Sequence, residues 1–416
     1  MADCTRRSDC RLCGSADLEQ VLSLIPTPPA NAFVRREALG RTQKAYPLDV
    51  FMCRNCGHVQ LLDVVSPDEL FRDYVYVSGT SPVFVRHFEE YAAACIDMLG
   101  LAAGDLVVDI GSNDGTLLRF FQAEGMRVLG VDPARDIARR ATEAGVETWD
   151  EFFGLDLARR IKAEKGQARL VTANNVFAHL DPMREFVQGV AETLTPDGAF
   201  VFEVSYLVDV YEKTLFDTIY HEHLAYHTVL PLKRFFAANG MELKRARRAA
   251  THGGSLRGVA TLAGRGVEAD GSVDELIDLE RSLGLHDTAA LKAFGRQIDE
   301  VKAELTGLLE RLAAQGKRIA GYGAPAKATT LMHHFGLRAD LLDYIVDDSP
   351  LKQGLYTPGL HVPVVSSSRL ETEPPDYLLV LAWNFAPSII QKNATFAEAG
   401  GRFIVPLPSV EVLPHE

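Results

Sequence analysis

Four of the six cysteines stand in two Cys-x-x-Cys-Gly pairs, Cys10-Arg-Leu-Cys13-Gly and Cys53-Arg-Asn-Cys56-Gly. Each pair sets two thiolates on a tight turn, where glycine lets the backbone fold under a metal. Four sulfurs close a tetrahedral zinc site with no open position, so the metal is read as structural and given to folding, not chemistry. The long spacer between the pairs predicts a hairpin excursion over 33–50. Cys4 and Cys95 have no sequence partner and are read as bystanders, Cys4 being the one able to replace a ligand. A second group suits proton transfer. Tyr220-His221-Glu222-His223-Leu224-Ala225-Tyr226-His227 gathers three of the twelve histidines, and His179 lies in Phe177-Ala178-His179-Leu180-Asp181. Imidazole moves protons near neutral pH, and a tyrosine hydroxyl can donate to a developing oxyanion. His-Glu-His lacks the spacing of a zinc-protease motif, and His223 and His227 have no evident third ligand, so a catalytic metal is set aside. His227 reads as the most dispensable.

Two glycine loops can hold ligands. Leu106-Val107-Val108-Asp109-Ile110 is an apolar run that fits a buried strand, and Gly111-Ser112-Asn113-Asp114-Gly115 leads from it into a helix. Such a loop lets backbone approach a ligand and brings a helix N-terminus to it. Asp132 ends the next strand, where a carboxylate can accept two ribose hydroxyls, and Asn174 and Asn175 follow the fourth. There is no G-x-G-x-x-G, and Asp114 would repel a pyrophosphate, which argues against a dinucleotide. The second loop, Gly321-Tyr322-Gly323-Ala324-Pro325-Ala326-Lys327, opens a helix carrying a lysine, a setting that suits a pyrophosphate. Asp347 and Lys352 follow the next strand, and Trp383 ends a later one with an aromatic face for a base or sugar. His252 and Arg257 are further candidates for the substrate side.

The elements that must position these residues are legible in outline. From about residue 105 strands and helices alternate, as in a doubly wound sheet, with the turn Thr195-Pro196-Asp197-Gly198 ahead of the fifth strand. Residues 270–315 are strongly helical, with apolar positions Leu276, Leu279, Leu283, Leu305, Leu308, Leu309 and Leu312. A second α/β pattern follows, so the two strand–loop–helix units could be an internal duplication. The chain has 416 residues, 47% of them hydrophobic, and a net charge of −13. This length suits two or three domains, and the boundaries read as 1–75, 76–272 and 273–416. The acidic balance argues against nucleic acid and an anionic membrane as partners. No run approaches the ~18 apolar residues of a span, and MADCTRRSDCR is no signal peptide, so the expected location is cytoplasmic.

The order of features from 104 to 205 resembles the class I methyltransferases that use S-adenosylmethionine (SAM), although Asn113 stands where their loop usually has glycine. The cysteine pairs, Val-Asp-Ile-Gly-Ser-Asn-Asp-Gly-Thr-Leu-Leu (108–118), Tyr-His-Glu-His-Leu (220–224), Thr-His-Gly-Gly-Ser-Leu-Arg (251–257) and Gly-Tyr-Gly-Ala-Pro-Ala-Lys-Ala-Thr-Thr (321–330) together resemble the sugar C-methyltransferases of deoxysugar pathways, notably the tetronitrose type. The resemblance implies an α/β chain: an N-terminal zinc-binding module, a central class I SAM methyltransferase Rossmann-like sheet and a second Rossmann-like α/β domain. It implies SAM at Asp109, Gly111, Asn113, Asp114, Gly115, Asp132, Asn174 and Asn175. It also implies a dTDP-linked 4-keto, 3-amino deoxysugar methylated at C-3, with Tyr322, Lys327, Asp347, Lys352 and Trp383 holding the nucleotide. His223 is then the base, Tyr220 and Glu222 position it or the enolate oxygen, His179 is a second acid/base group, and Tyr76 enters from the linker. An O- or N-methyltransferase would need no carbon acid, and a non-catalytic zinc-ribbon scaffold would tolerate loss of His223.

Overall fold

The computed structural model describes residues 3–71 and 82–414, with Pro82, Val83 and His252 by their backbone alone. Strands β1 (Leu18–Thr27), β2 (Tyr46–Cys53) and β3 (Val59–Leu61) form an antiparallel sheet in the cysteine-rich region. The excursion between β1 and β2 starts at residue 28 and returns by Tyr46. Helix α1 (Pro82–Leu99) leads to the central sheet. That sheet contains β4 (Leu106–Ile110), β5 (Arg127–Val131), β6 (Thr148–Trp149), β7 (Ala168–Asn174) and β8 (Leu194–Ser205), all parallel. The short strand β9 (Ala225–Tyr226) leaves this sheet and pairs with β3, so a piece of the histidine-rich segment completes the cysteine module's sheet. Strands β10 (Met241–Ala249) and β11 (Ser255–Leu262) then close the central sheet antiparallel, giving the order β10-β11-β8-β7-β4-β5-β6.

Every residue of β4 is buried, as expected of a central strand covered on both faces. The strand order reverses between β4 and β7, and in open α/β sheets such a switch point opens a crevice beyond the strands' carboxyl ends. The turn predicted at 195–198 lies inside β8 as an irregularity. The register with β7 jumps from Leu194↔Ala168 to Ala199↔Leu170. Pro196 has no N–H to give the ladder, so the extra residues are looped out while the strand continues.

Helices α2 (Ser272–Ser282) and α3 (Thr288–Ala314) connect to the last unit. The inward face of α2 is Val273, Ile277 and Glu280, with Leu276, Leu279 and Leu283 at its margin. The shift has a polar cause: the Glu280 carboxylate accepts the Tyr206 hydroxyl at 2.9 Å and the otherwise orphaned N–H groups of Val229 and Leu230 at a helix start. In α3 the predicted Leu305, Leu309 and Leu312 are buried. The last unit is a six-stranded sheet built on β12 (Ile319–Tyr322), β13 (Ile345–Val346), β14 (Val364–Val365), β15 (Tyr377–Val380), β16 (Arg402–Val405) and β17 (Glu411–Leu413), in the order β14-β13-β12-β15-β16-β17. Its helix α4 (Ala326–Phe335) follows the second glycine loop. Among the described residues no helix is long and apolar enough to cross a membrane.

Candidate active site

The ligand atoms of Cys10, Cys13, Cys53 and Cys56 all lie within 4.8 Å of one another. Cys10–Cys56 and Cys13–Cys53 sulfurs are 3.6 Å apart, far beyond the ~2.05 Å of a disulfide and close to the ~3.8 Å edge of a tetrahedron with ~2.3 Å Zn–S bonds. The donor set and its spacing fit structural zinc. Cys4 and Cys95 are not in the cluster; Cys95 is buried in the core.

At the first loop the backbone is shaped for close approach. Gly111 and Gly115 have φ of +72° and +74°, and Asn113, where the family usually has glycine, still adopts +51°. An added Cβ on Gly111 would lie 2.2 Å from Val176 Cγ2, so the loop rests on the segment after β7. The Asp132 carboxylate organises this loop, accepting N–H groups of Asn113 at 2.8 Å and Ala134 at 2.9 Å. Burial pushes its pKa up while those two N–H groups hold it down. Asp109 sits lower, inside the sheet, where it accepts the Thr172 hydroxyl at 2.6 Å; burial pushes its pKa up to about 7. Asp114 accepts Thr116 N and Oγ1 in an Asx turn just ahead of the following helix (Thr116–Ala123), whose N-cap is Gly115. Asn175, at φ +57°, donates its N–H to Glu203 O at 2.8 Å. By contrast, both amide atoms of Asn174 and the Ser112 hydroxyl are buried and have no hydrogen-bond partner among the described residues. Such orphaned polar atoms beside a glycine cradle fit a bound polar ligand such as SAM.

Val176 leads into the turn Phe177–His179, and the His179 ring lies 5.1 Å from that of His223. His223 Nδ1 lies 2.7 Å from Thr218 O, a carbonyl that can only accept, so Nδ1 carries the proton and Nε2 offers a lone pair. The Tyr220 hydroxyl is 3.0 Å from that Nε2. Burial, and then His223, hold the His179 pKa well below its usual value, keeping that ring neutral; its Nε2 is buried and has no hydrogen-bond partner among the described residues. Glu222 accepts Asn31 Nδ2 at 2.9 Å and thereby joins this segment to the β1–β2 excursion. His227 packs between Phe177 and His58 in the core, consistent with a packing residue. Tyr76 lies outside the described residues.

The substrate-side candidates fall into two places. Arg257 pairs with the buried Glu203 at 2.6 Å, beside His87 and Thr251, and lies over the Tyr91 ring. His252 is in the adjoining turn, Thr251–Gly253. The others surround the second loop. Asp347 accepts Ala324 N at 2.7 Å and Ser349 N at 2.9 Å, while Lys352 donates to Ala324 O at 2.8 Å. The Tyr322 hydroxyl lies 3.3 Å from Asp348. Lys327 stands 5.0 Å from the Trp383 ring centre, and Trp383 Nε1 donates to Asp217 at 2.7 Å. Asp217 adjoins Thr218, the residue that fixes His223. Sequence reasoning missed Thr218 because it acts through its carbonyl, which leaves no mark on residue type. It missed Glu203 too, although one acid inside Val201-Phe202-Glu203-Val204 was a visible signal.

A glycine loop at the switch point of a doubly wound sheet, with a paired tyrosine and imidazole beside it, defines a SAM-dependent methyltransferase carrying a zinc module. Family profiles match in sequence: "Putative zinc binding domain" at 10–71, "Methyltransferase domain" at 84–245 and "C-methyltransferase C-terminal domain" at 250–408. The chain is 38% identical over 417 residues to the C-methyltransferase NovU of Streptomyces niveus, covering 100% of this chain and 99% of that protein. It belongs to that C-methyltransferase family. Among solved structures, the magnesium protoporphyrin IX methyltransferase of Synechocystis PCC 6803 with bound SAM is 17% identical, covering 43% of this chain and 81% of its own at a TM-score of 0.32. A SAM-dependent methyltransferase of Clostridium acetobutylicum is 10% identical, covering 43% and 92%, at 0.35.

Proposed function

We propose that the chain methylates C-3 of a dTDP-linked 4-keto, 3-amino deoxysugar. A sugar carbon is not nucleophilic by itself, but a neighbouring ketone acidifies its C–H bond. His223 Nε2 takes that proton, and the C–H electron pair becomes an enolate. Thr218 O holds Nδ1–H throughout, so the imidazolium formed is already hydrogen-bonded. The Tyr220 hydroxyl, released from Nε2 as that nitrogen gains a proton, turns to the enolate oxygen. SAM supplies the electrophilic methyl. With SAM held at the first glycine loop, the enolate carbon would take that methyl and the carbon–sulfur electrons would stay with sulfur. Alignment of the two reactants can contribute about 7–11 kcal/mol. Glu222 seats the segment through Asn31, and neutral His179 backs the His223 ring. Lys327 and Trp383 contact the nucleotide, with Tyr322, Asp347 and Lys352 shaping its loop.

The observation that carries this reading is the Tyr220–His223–Thr218 chain, which leaves one imidazole nitrogen basic next to a hydroxyl donor. The test mixes enzyme, SAM and a panel of dTDP-4-keto sugars and locates the new methyl by mass spectrometry and NMR. A methyl on C-3 supports the reading; a methyl on oxygen or nitrogen refutes it.

A further inference from the structure

Arg11 stands between the two cysteines of the first knuckle, yet its side chain is fully enclosed, at 0% exposure. Its Nε pairs with Asp181 at 3.1 Å. Its Nη1 donates to Gln60 Oε1 at 3.0 Å, to Leu61 O, and to Leu224 O at 3.3 Å. Asp181 lies two residues after His179, and Leu224 directly follows His223. The Leu224 peptide extends the network, accepting Leu61 N at 2.9 Å and donating to Ala178 O at 2.8 Å. One guanidinium thus reaches both histidine segments at the point where β9 joins the cysteine module's sheet.

We propose that Arg11 is a positioning residue through which the cysteine module sets the spacing of His179 and His223. The inference rests on the reading of His223 as the base and of His179 as the neutral ring behind it. A buried guanidinium with several fixed acceptors has one orientation, and its backbone is pinned by Cys10 and Cys13. The zinc that those cysteines fit would hold the turn, and Arg11 would carry that rigidity to the imidazoles. Lysine cannot replace it, because a single ammonium cannot present the same planar fork to Asp181 and to the carbonyls.

The test uses full-length, zinc-loaded Arg11→Lys and the milder Asp181→Asn, whose carboxylate is partly exposed. Zinc stoichiometry, SAM affinity by calorimetry, kcat and KM are measured for both. The expected result is one zinc per chain, SAM affinity within twofold of the parent and kcat lowered about 10- to 100-fold, since small misplacements of reacting groups carry losses of that size. Imidazole nitrogen NMR of His179 and His223 is expected to shift in Arg11→Lys, and it reports on ring placement even if His223→Asn proves active and the catalytic reading fails. Unchanged kcat and unchanged imidazole signals in both variants would overturn the proposal. So would a loss of zinc and SAM binding in parallel with kcat, which makes Arg11 a residue of folding alone.

Discussion

At the scale of single residues, the imidazoles of the site separate into rings held neutral by burial and one ring whose tautomer is fixed by a carbonyl. His179 and His221 are both depressed by burial, His221 to about 4, so neither carries charge near neutral pH. His223 is different in geometry: a carbonyl fixes its proton on Nδ1 and leaves Nε2 to act. His223→Asn is therefore expected to lower kcat by about 10²–10⁴-fold while SAM binding, read by calorimetry, stays intact. In the same variant, exchange of the substrate α-proton in D2O without SAM should vanish; persistence of exchange would move the base elsewhere. Asp109 offers a second check. Its folded pKa is raised to about 7, against an ordinary 3.8, so the folded chain holds a proton that the unfolded chain has released between those values. Stability from this group then falls as pH rises through that window. Asp109→Asn keeps the neutral shape and loses the titration. Its melting temperature, relative to the parent without SAM, should be higher at pH 8 than at pH 5. A pH-independent difference would show that Asp109 is not buried as described. Tyr220, His223 and His179 were legible from residue type and crowding. Thr218 was not, because a main-chain acceptor has no signature, and Arg11 was hidden by the cysteines around it.

At the scale of elements, the glycine loop shows what a pattern can and cannot convey. The strand 106–110, the loop and its helix were readable because a continuous apolar run broken by small polar residues has few other solutions. The close contact with Val176 was not readable, since it depends on how two distant segments meet above the sheet. Gly111→Ala tests that contact. A Cβ there meets Val176 Cγ2 at 2.2 Å, and the left-handed φ of +72° itself disfavours any side chain by roughly 1–2 kcal/mol. SAM affinity is expected to fall at least tenfold by calorimetry. Adding Val176→Ala should restore part of it by removing the overlap but not the backbone penalty; full restoration would mean that φ is unimportant. The Pro196 insertion in β8 and the rotated face of α2 were misread for a related reason. In each, a polar requirement — a missing donor in one, a buried carboxylate in the other — overrode the simple apolar count.

At the scale of the whole molecule, the two loops prove to share one construction despite different sequences. Gly111 N bonds Val131 O and Gly323 N bonds Val346 O, both at 2.7 Å. In each unit an aspartate ending the next strand, Asp132 or Asp347, accepts one N–H from the loop and one from two residues further on. The likeness is of hydrogen bonding, not of residue types, which is why the sequence shows so little of it. The second unit reaches the turn that fixes His223, because Trp383 Nε1 donates to Asp217 and the Thr330 hydroxyl donates to Ile219 O, on either side of Thr218. On the proposed function, a protein of net charge −13 has to attract its nucleotide diphosphate by a local field. Lys327 is suited to that. Among the described residues it makes no hydrogen bond, it faces Trp383, and burial lowers its pKa while Asp217 pulls it back up. An ammonium so poorly solvated gains more from a phosphate than an exposed one would. Lys327→Met is expected to raise KM for the sugar nucleotide about 10- to 100-fold, with kcat and SAM affinity nearly unchanged. The parent's KM should rise with ionic strength and the variant's should not. If both respond equally to salt, the anion is held elsewhere, and the second glycine loop serves packing alone.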